Sequence, residues 1–270
     1  MTEPILSMSN SRVKELVKLR ESSKQRKERQ HFVVEGFSDI KTIFDSGRKL
    51  EELYFCRELT QKAGLEKEFG IFEKLDFDLI ELGKAPFLKA SYRRNADGFL
   101  AKVNSWELSM EDIKTSKPQT CIVLDEVEKP GNLGAIVRTA EAFGINTLML
   151  ADSSVDYFNP NVVRSSRGLM GRINVALGTK NEISSFLKEN KFSIIGASGS
   201  ARNSYWDFEH KSRTAFLFGS EKDGLGSYWL NRVDDLIAIP MKGDADSLNL
   251  HVSVGCILAE YNRKETLERL

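Results

Sequence analysis

Lys129-Pro130-Gly131-Asn132-Leu133-Gly134-Ala135-Ile136-Val137-Arg138-Thr139 follows a short apolar run at 121–124 and opens a helical stretch over 133–143. A buried strand that turns at Pro and Gly into a helix is the repeating step of an α/β domain. Asn132 suits a helix N-cap. Arg138, six residues on, is expected to reach a ligand near the helix start together with Asn132. The three-glycine G-x-G-x-x-G order is absent, which argues against a dinucleotide-binding turn and a nucleotide-cofactor oxidoreductase.

Working outward, short apolar runs recur at 147–150, 194–197, 215–218 and 236–239. Runs of this length without polar alternation suit a parallel sheet covered on both faces. Helical stretches at 182–189 and 248–263 fall between and after them. Two of these runs end in segments with unusual chemistry. Phe218-Gly219-Ser220-Glu221-Lys222-Asp223-Gly224-Leu225-Gly226 sets an acid among glycines that allow close approach of a ligand. Ile239-Pro240-Met241-Lys242-Gly243 stops a strand at a proline, and Ser247-Leu248-Asn249-Leu250 follows, with Ser247 placed to cap the last helix. In doubly wound sheets, ligands sit at such carboxyl ends. Taken singly, each segment also reads as ordinary capping or an ordinary strand-to-helix loop.

The front of the chain mixes helix and strand on a smaller scale. Residues 11–19 have helical apolar spacing, 21–30 are polar and basic, and 32–34 read as a strand closed by Glu35-Gly36. A helix over 37–44 and short strands at 53–55, 78–80 and 98–103 follow. The weakly periodic 106–119, with Pro118, reads as a linker. The expected organisation is a small domain over 1–105, the linker, and an α/β domain over 120–270.

The 270 residues carry 41% apolar and 29% charged side chains, a globular composition with equal numbers of acidic and basic groups. The charge is uneven, however: between 12 and 29 there are eight basic residues and three acidic ones. Cys56, Cys121 and Cys256 are far apart and odd in number, which argues against a disulfide framework or a zinc site. No apolar run approaches the roughly 20 residues of a membrane span. The start at Met1-Thr2-Glu3-Pro4 lacks the pattern of a signal peptide. A cytoplasmic protein is expected. His31, His210 and His251 show no ligand spacing, so no metal is expected.

Together, N-x-G-x-x-x-R-T, then G-x-E-x-x-G, then I-P-M-x-G followed by S-L-N resemble the three motifs of the SpoU/TrmH family of RNA methyltransferases, in the SPOUT class. The likeness is close over 121–260. It is looser in front, where Arg26-x-x-Arg29 and 32–36 resemble the substrate-binding domain of two-domain members. The resemblance implies a C-terminal parallel-sheet domain ending in a deep trefoil knot, behind a small α/β RNA-binding domain. It implies transfer of a methyl group from S-adenosylmethionine to a ribose 2′-hydroxyl of RNA, with ribosomal RNA favoured over transfer RNA. A homodimer through the knotted domain is implied as well. Carried over, the cofactor positions are Gly219, Ile239 and Leu248, with Leu217, Phe218 and Met241 as apolar neighbours. The polar active-site positions are Asn132, Arg138, Glu221, Ser247 and Asn249. A guanidinium stays protonated, so Arg138 is expected to stabilise developing alkoxide charge, with the base unassigned. The expected phosphate contacts are Arg26, Lys27, Arg29, Lys89, Arg93, Arg94, Arg164, Arg167 and Arg172. His251 departs from the pattern, since the family commonly has serine there. A non-catalytic RNA-binding protein on the same scaffold is the rival reading, and cofactor binding separates the two.

Overall fold

The computed structural model describes residues 3–65, 67, 77–113, 119–209 and 211–268. Residues 114–118 of the expected linker and His210 lie outside the described residues. In chain order the first elements are α1 (Ser11–Glu21), α2 (Ser23–Arg29), β1 (His31–Glu35), α3 (Phe37–Asp45) and β2 (Leu50–Phe55). Then come α4 (Arg57–Lys62), β3 (Asp78–Glu81), α5 (Lys84–Ala90) and β4 (Phe99–Asn104). Beyond them run β5 (Gln119–Asp125), α6 (Pro130–Ala142), β6 (Thr147–Ala151), α7 (Pro160–Ser166), β7 (Asn174–Gly178) and α8 (Lys180–Glu189). The last are β8 (Ser193–Ala197), β9 (Asn203–Ser204), β10 (Arg213–Phe218), α9 (Ser227–Leu230), β11 (Asp235–Ala238) and α10 (Leu250–Glu268).

The chain forms two compact units. The first comprises Met1–Trp106 with Asp156–Gly171, the second Glu107–Val155 with Arg172–Leu270.

In the first unit a four-stranded sheet has the order β1-β4-β2-β3, with β4 antiparallel to both neighbours and β3 parallel to β2. Helix α1 buries Val13, Leu16 and Leu19, one face at helical spacing. The basic stretch expected as a polar connection is helix α2. Ser22 caps its start and Gln30, in the left-handed region at φ 57°, ends it. Here the expectation for Arg26 is corrected. Its side chain is 4% exposed and its Nε and Nη2 each lie 2.7 Å from Asp156 Oδ2. Nη1 donates to the carbonyls of Leu19 and Arg20. A guanidinium enclosed in this way fastens α2 to α1 and to Asp156, and is no phosphate contact. Trp106 packs edge-on against Phe32 and Phe158, with the Arg48 guanidinium 4.1 Å above its ring.

The second unit is a seven-stranded sheet of order β7-β6-β5-β10-β8-β11-β9, every described pairing parallel. Residues 121–124 and 148–151 are fully buried, as their unbroken apolar runs require. From β5 the chain steps to β6 and β7 at one edge, then returns to β8 beyond β10. The strand order therefore reverses between β5 and β10, the switch point at which such sheets take ligands.

Two helix starts differ from the expected ones. Helix α6 begins at Pro130, whose missing N–H costs nothing in a first turn, so Asn132 is its third residue and not its cap. Helix α10 begins at Leu250, and its cap is Asn249, whose Oδ1 accepts from the His251 N–H at 3.0 Å. Ser247 lies before the helix and does not cap it.

Candidate active site

Loops leaving the carboxyl ends of β8, β10 and β11 converge on one cleft of about 1050 Å³. Phe218, Gly219, Ile239, Met241 and Leu248 all line it, as do Glu221, Ser247 and Asn249. Leu217 is the exception among the expected cofactor neighbours. Successive strand residues face opposite sides, and Leu217 is fully buried in the sheet core with Val123 and Met149.

The glycines of the second motif have a steric cause. Ser220 and Gly224 exchange backbone hydrogen bonds at 3.2 and 3.1 Å, folding the loop back on itself. The Gly224 backbone then crosses so close to Gly219 that a Cβ there would collide with it. Gly224 itself has φ +63°. Gly219 is thus required by the turn itself, and Gly219 and Gly224 bring bare backbone to a cleft that Ser220, Glu221, Lys222 and Asp223 also line. Flat apolar walls beside bare backbone suit an aromatic base, which needs little more than van der Waals surface and a few fixed donors and acceptors. The residues present fit an adenosine-bearing cofactor.

A chain of polar contacts ties the three motifs together. Lys129 and Asn132 both pair with the Glu221 carboxylate, the amide of Asn132 donating to Oε1. Asn249 Nδ2 donates to Asn132 Oδ1 at 3.3 Å. About two turns further along α6, His251 Nε2 and Thr139 Oγ1 lie 2.9 Å apart, a second link between the start of α10 and α6. Arg138 does not join this group. Six residues place it roughly 120° around the helix from Asn132, while Thr139 shares the face of Asn132. Arg138 is exposed and is not among the cleft-lining side chains. The expectation that one helix start presents both Asn132 and Arg138 to one ligand is therefore corrected.

Two features escaped the sequence reading. The loop 198–204 supplies part of the cleft wall, including Gly199 and Arg202. Its signal was the run of small residues Ala197-Ser198-Gly199-Ser200 immediately after a recognised strand. The second is Asp125, buried at the end of β5. Burial pushes its carboxyl above the usual range, while the Trp229 indole and the Lys180 ammonium, 3.5 Å away, pull the other way.

The remaining expected phosphate contacts divide. Lys27, Lys89 and Arg94 are exposed. Arg29 is exposed beside Glu15 at 3.5 Å, and Arg172 beside Glu141 at 3.1 Å. Arg93 is half-buried and pairs with the buried Asp39, which Arg167 approaches to 3.8 Å. Arg164 is exposed, its guanidinium 5.5 Å from the centre of the Tyr92 ring. Arg164 and Arg167 belong to the first compact unit. Among the described residues no cluster of three or more His, Cys, Asp and Glu side chains is arranged to hold a metal ion.

Comparison with known proteins agrees with this geometry. The SpoU rRNA Methylase family matches residues 119–259, and the MRM3-like substrate binding domain matches 10–101. YacO of Bacillus subtilis (strain 168), assigned to the TrmH family of tRNA/rRNA methyltransferases, is 29% identical over 87% of this chain and 96% of its own. The 23S rRNA (guanosine(2553)-2′-O)-methyltransferase RlmP of the same organism is 24% identical over 94% of this chain and 97% of its own. The crystal structure of an RNA 2′-O ribose methyltransferase superposes with a TM-score of 0.85 at 30% identity, covering 98% of this chain and 100% of that one.

Proposed function

The chain belongs to the SpoU rRNA methylase family, and on that premise we propose that it methylates a ribose 2′-hydroxyl of large-subunit ribosomal RNA. The observation that carries this reading is the convergence of Gly219, Ile239 and Leu248 on one cleft beside the Glu221–Asn132–Asn249 chain. Ribosomal RNA is favoured over transfer RNA by the match to the rRNA methylase family and by the likeness to RlmP along nearly the whole chain. The trefoil knot of the family is part of the reading. So is a cytoplasmic site of action, supported by three free cysteines.

The cofactor is S-adenosylmethionine, and when bound it supplies a methyl group on a sulfonium, already a good leaving group. The chain's own residues do the rest. Phe218, Ile239, Met241 and Leu248 exclude water and hold the adenosine by apolar contact, and Gly219 lets the turn close so that its backbone lines the cleft. Glu221 takes up the charge of Lys129 and fixes the Asn132 amide, which in turn orients Asn249 at the start of α10. Arg138 stabilises negative charge as it develops on the ribose oxygen, held for that purpose by an RNA phosphate. Because Arg138 stands off the cleft of its own chain, it serves the cleft of a second copy. A homodimer through this unit is thus part of the reading. Its support is the exposure of Arg138, together with exposed apolar Met241, Leu248 and Val252 on the loop and helix start at the cleft wall.

The test separates chemistry from binding. Arg138→Ala should lower methyl transfer to ribosomal RNA by about 10²–10³-fold, while calorimetry finds affinity for S-adenosylmethionine nearly unchanged. Equal losses in both would remove Arg138 from the chemical step. A wild-type protein that binds RNA but no S-adenosylmethionine would instead be the non-catalytic rival.

A further inference from the structure

An exposed aromatic ring is usually free to change rotamer, but the Tyr92 ring in the first unit is not. Its backbone is held from two sides. The buried carboxylate of Glu35 accepts the N–H groups of Tyr92 and Arg93 at 2.7 and 3.1 Å and pairs with the Ser91 hydroxyl. The Arg20 guanidinium donates to the carbonyls of Lys89 and Ser91 at 2.9 and 2.6 Å. At its far end the Tyr92 hydroxyl donates to Asn161 Oδ1 at 2.8 Å. The side chain is nonetheless 44% exposed. It borders a small cleft lined by Val33, Ala90 and Val163, and the exposed Arg164 guanidinium lies over one face of the ring, 5.5 Å from its centre, which leaves the other face for a flat partner.

The Arg20 bonds cap the carboxyl end of α5, and the Tyr92 ring that follows is left 44% exposed. Glu35 and Arg20 both spend their hydrogen bonds on a segment whose central side chain points outward. A ring ordered in advance loses little freedom when a flat partner settles on it. Every nucleobase offers such a flat face once it is unpaired, whereas paired bases in a helix offer none. A guanidinium over the opposite face of the ring is within reach of the phosphate that every nucleotide carries.

We propose that Tyr92 is a stacking platform for an unpaired nucleotide of the RNA, with Arg164 taking the adjacent phosphate. The assignment rests on the RNA methyltransferase reading for the identity of the polymer. It adds to that reading that the first unit grips a loop, bulge or single strand, not a continuous duplex.

The test uses the full chain with two probes, an oligouridine and the duplex that it forms with oligoadenosine, each titrated over a range of salt. Tyr92→Ala should weaken oligouridine binding about 5- to 150-fold. Duplex binding and the dependence of oligouridine binding on salt should stay unchanged. Arg164→Ala should weaken both probes and lower the salt slope by about one unit. Tyr92→Trp should keep the oligouridine affinity and add fluorescence quenching that the wild type lacks. If thermal melting shows Tyr92→Ala to be misfolded, Tyr92→Trp decides, and loss of affinity in that variant counts against stacking. Unchanged oligouridine binding by folded Tyr92→Ala, or equal losses for both probes, overturns the platform. Calorimetry of the wild type with S-adenosylmethionine runs alongside. No cofactor binding there defeats the methyltransferase reading, while the oligonucleotide series still decides the role of Tyr92.

Discussion

At the scale of single residues, His251 is where this chain has solved a local problem in its own way. Its ring spans from α10 to Thr139 on α6, a distance that the shorter serine common in the family would not cross. The bond lies about two turns along α6 from the Asn249–Asn132 contact, so it helps to fix the capped start of α10 against the helix that carries Asn132. Replacing His251 by Ser, or Thr139 by Val, should each destabilise the protein, and the double variant should be less damaged than the sum. A double-mutant cycle by chemical denaturation should give a coupling of about 1 kcal/mol. Strict additivity would mean that the 2.9 Å contact contributes nothing. The departure at 251 was visible in the sequence because the flanking motif is rigid in pattern; its partner was not. The same holds for Arg26, which looked like one more cation in a basic run. Its counter-ion, Asp156, is 130 residues away, and no local pattern announces a pairing of that range. Leu217 was misplaced for the opposite reason. It adjoins Phe218 in sequence, but the alternation of a strand sends the two to different faces.

At the scale of elements, what could be read was what local physics decides. The strands over 121–124, 147–150 and 215–218 announced themselves because burial on both faces leaves no polar positions. Helix α2 did not, having no apolar stripe; a serine cap, a left-handed Gln30 and the enclosed Arg26 hold it. Nor did β7, which buries only Val175 and Ala176 between more exposed ends. Helix α8 shows a start that the sequence does encode. The Thr179 hydroxyl accepts from the Glu182 N–H, and Glu182 accepts from the Thr179 N–H and hydroxyl. Thr179→Ala should cost about 1 kcal/mol. The bonds from Thr179 hold the Glu182 carboxyl below the usual carboxylate range. A depressed folded-state value means that its contribution is fully present above the unfolded-state value and is lost as pH falls through the folded one. Glu182→Gln should therefore lower the melting temperature at neutral pH and make progressively less difference in acid. A deficit that stays constant down to strongly acidic pH would show that the carboxylate charge plays no part in the cap.

At the scale of the whole molecule, three motifs in a fixed order made the cleft legible, but a sequence cannot say which copy of the chain completes it. Within one chain the cleft has its apolar walls, its bare-backbone turn and its Lys129–Glu221–Asn132–Asn249 contacts. It lacks Arg138, which the helical repeat turns away from Asn132. An isologous pair in which each Arg138 faces the other copy's cleft would supply the missing cation twice over. Two separately inactive variants test this. Arg138→Ala keeps its cleft, whereas Leu248→Asp sets a charge in the cleft wall at a partly exposed position but keeps its arginine. If the site is shared, unfolding and refolding an equal mixture gives half mixed dimers, each with one intact site. Methyl transfer should then recover to about a quarter of the wild-type level per chain. If every chain served its own cleft, the mixture would stay as inactive as its parts, and Arg138 would have to reach the ribose by a movement of α6 that breaks its contacts with the start of α10.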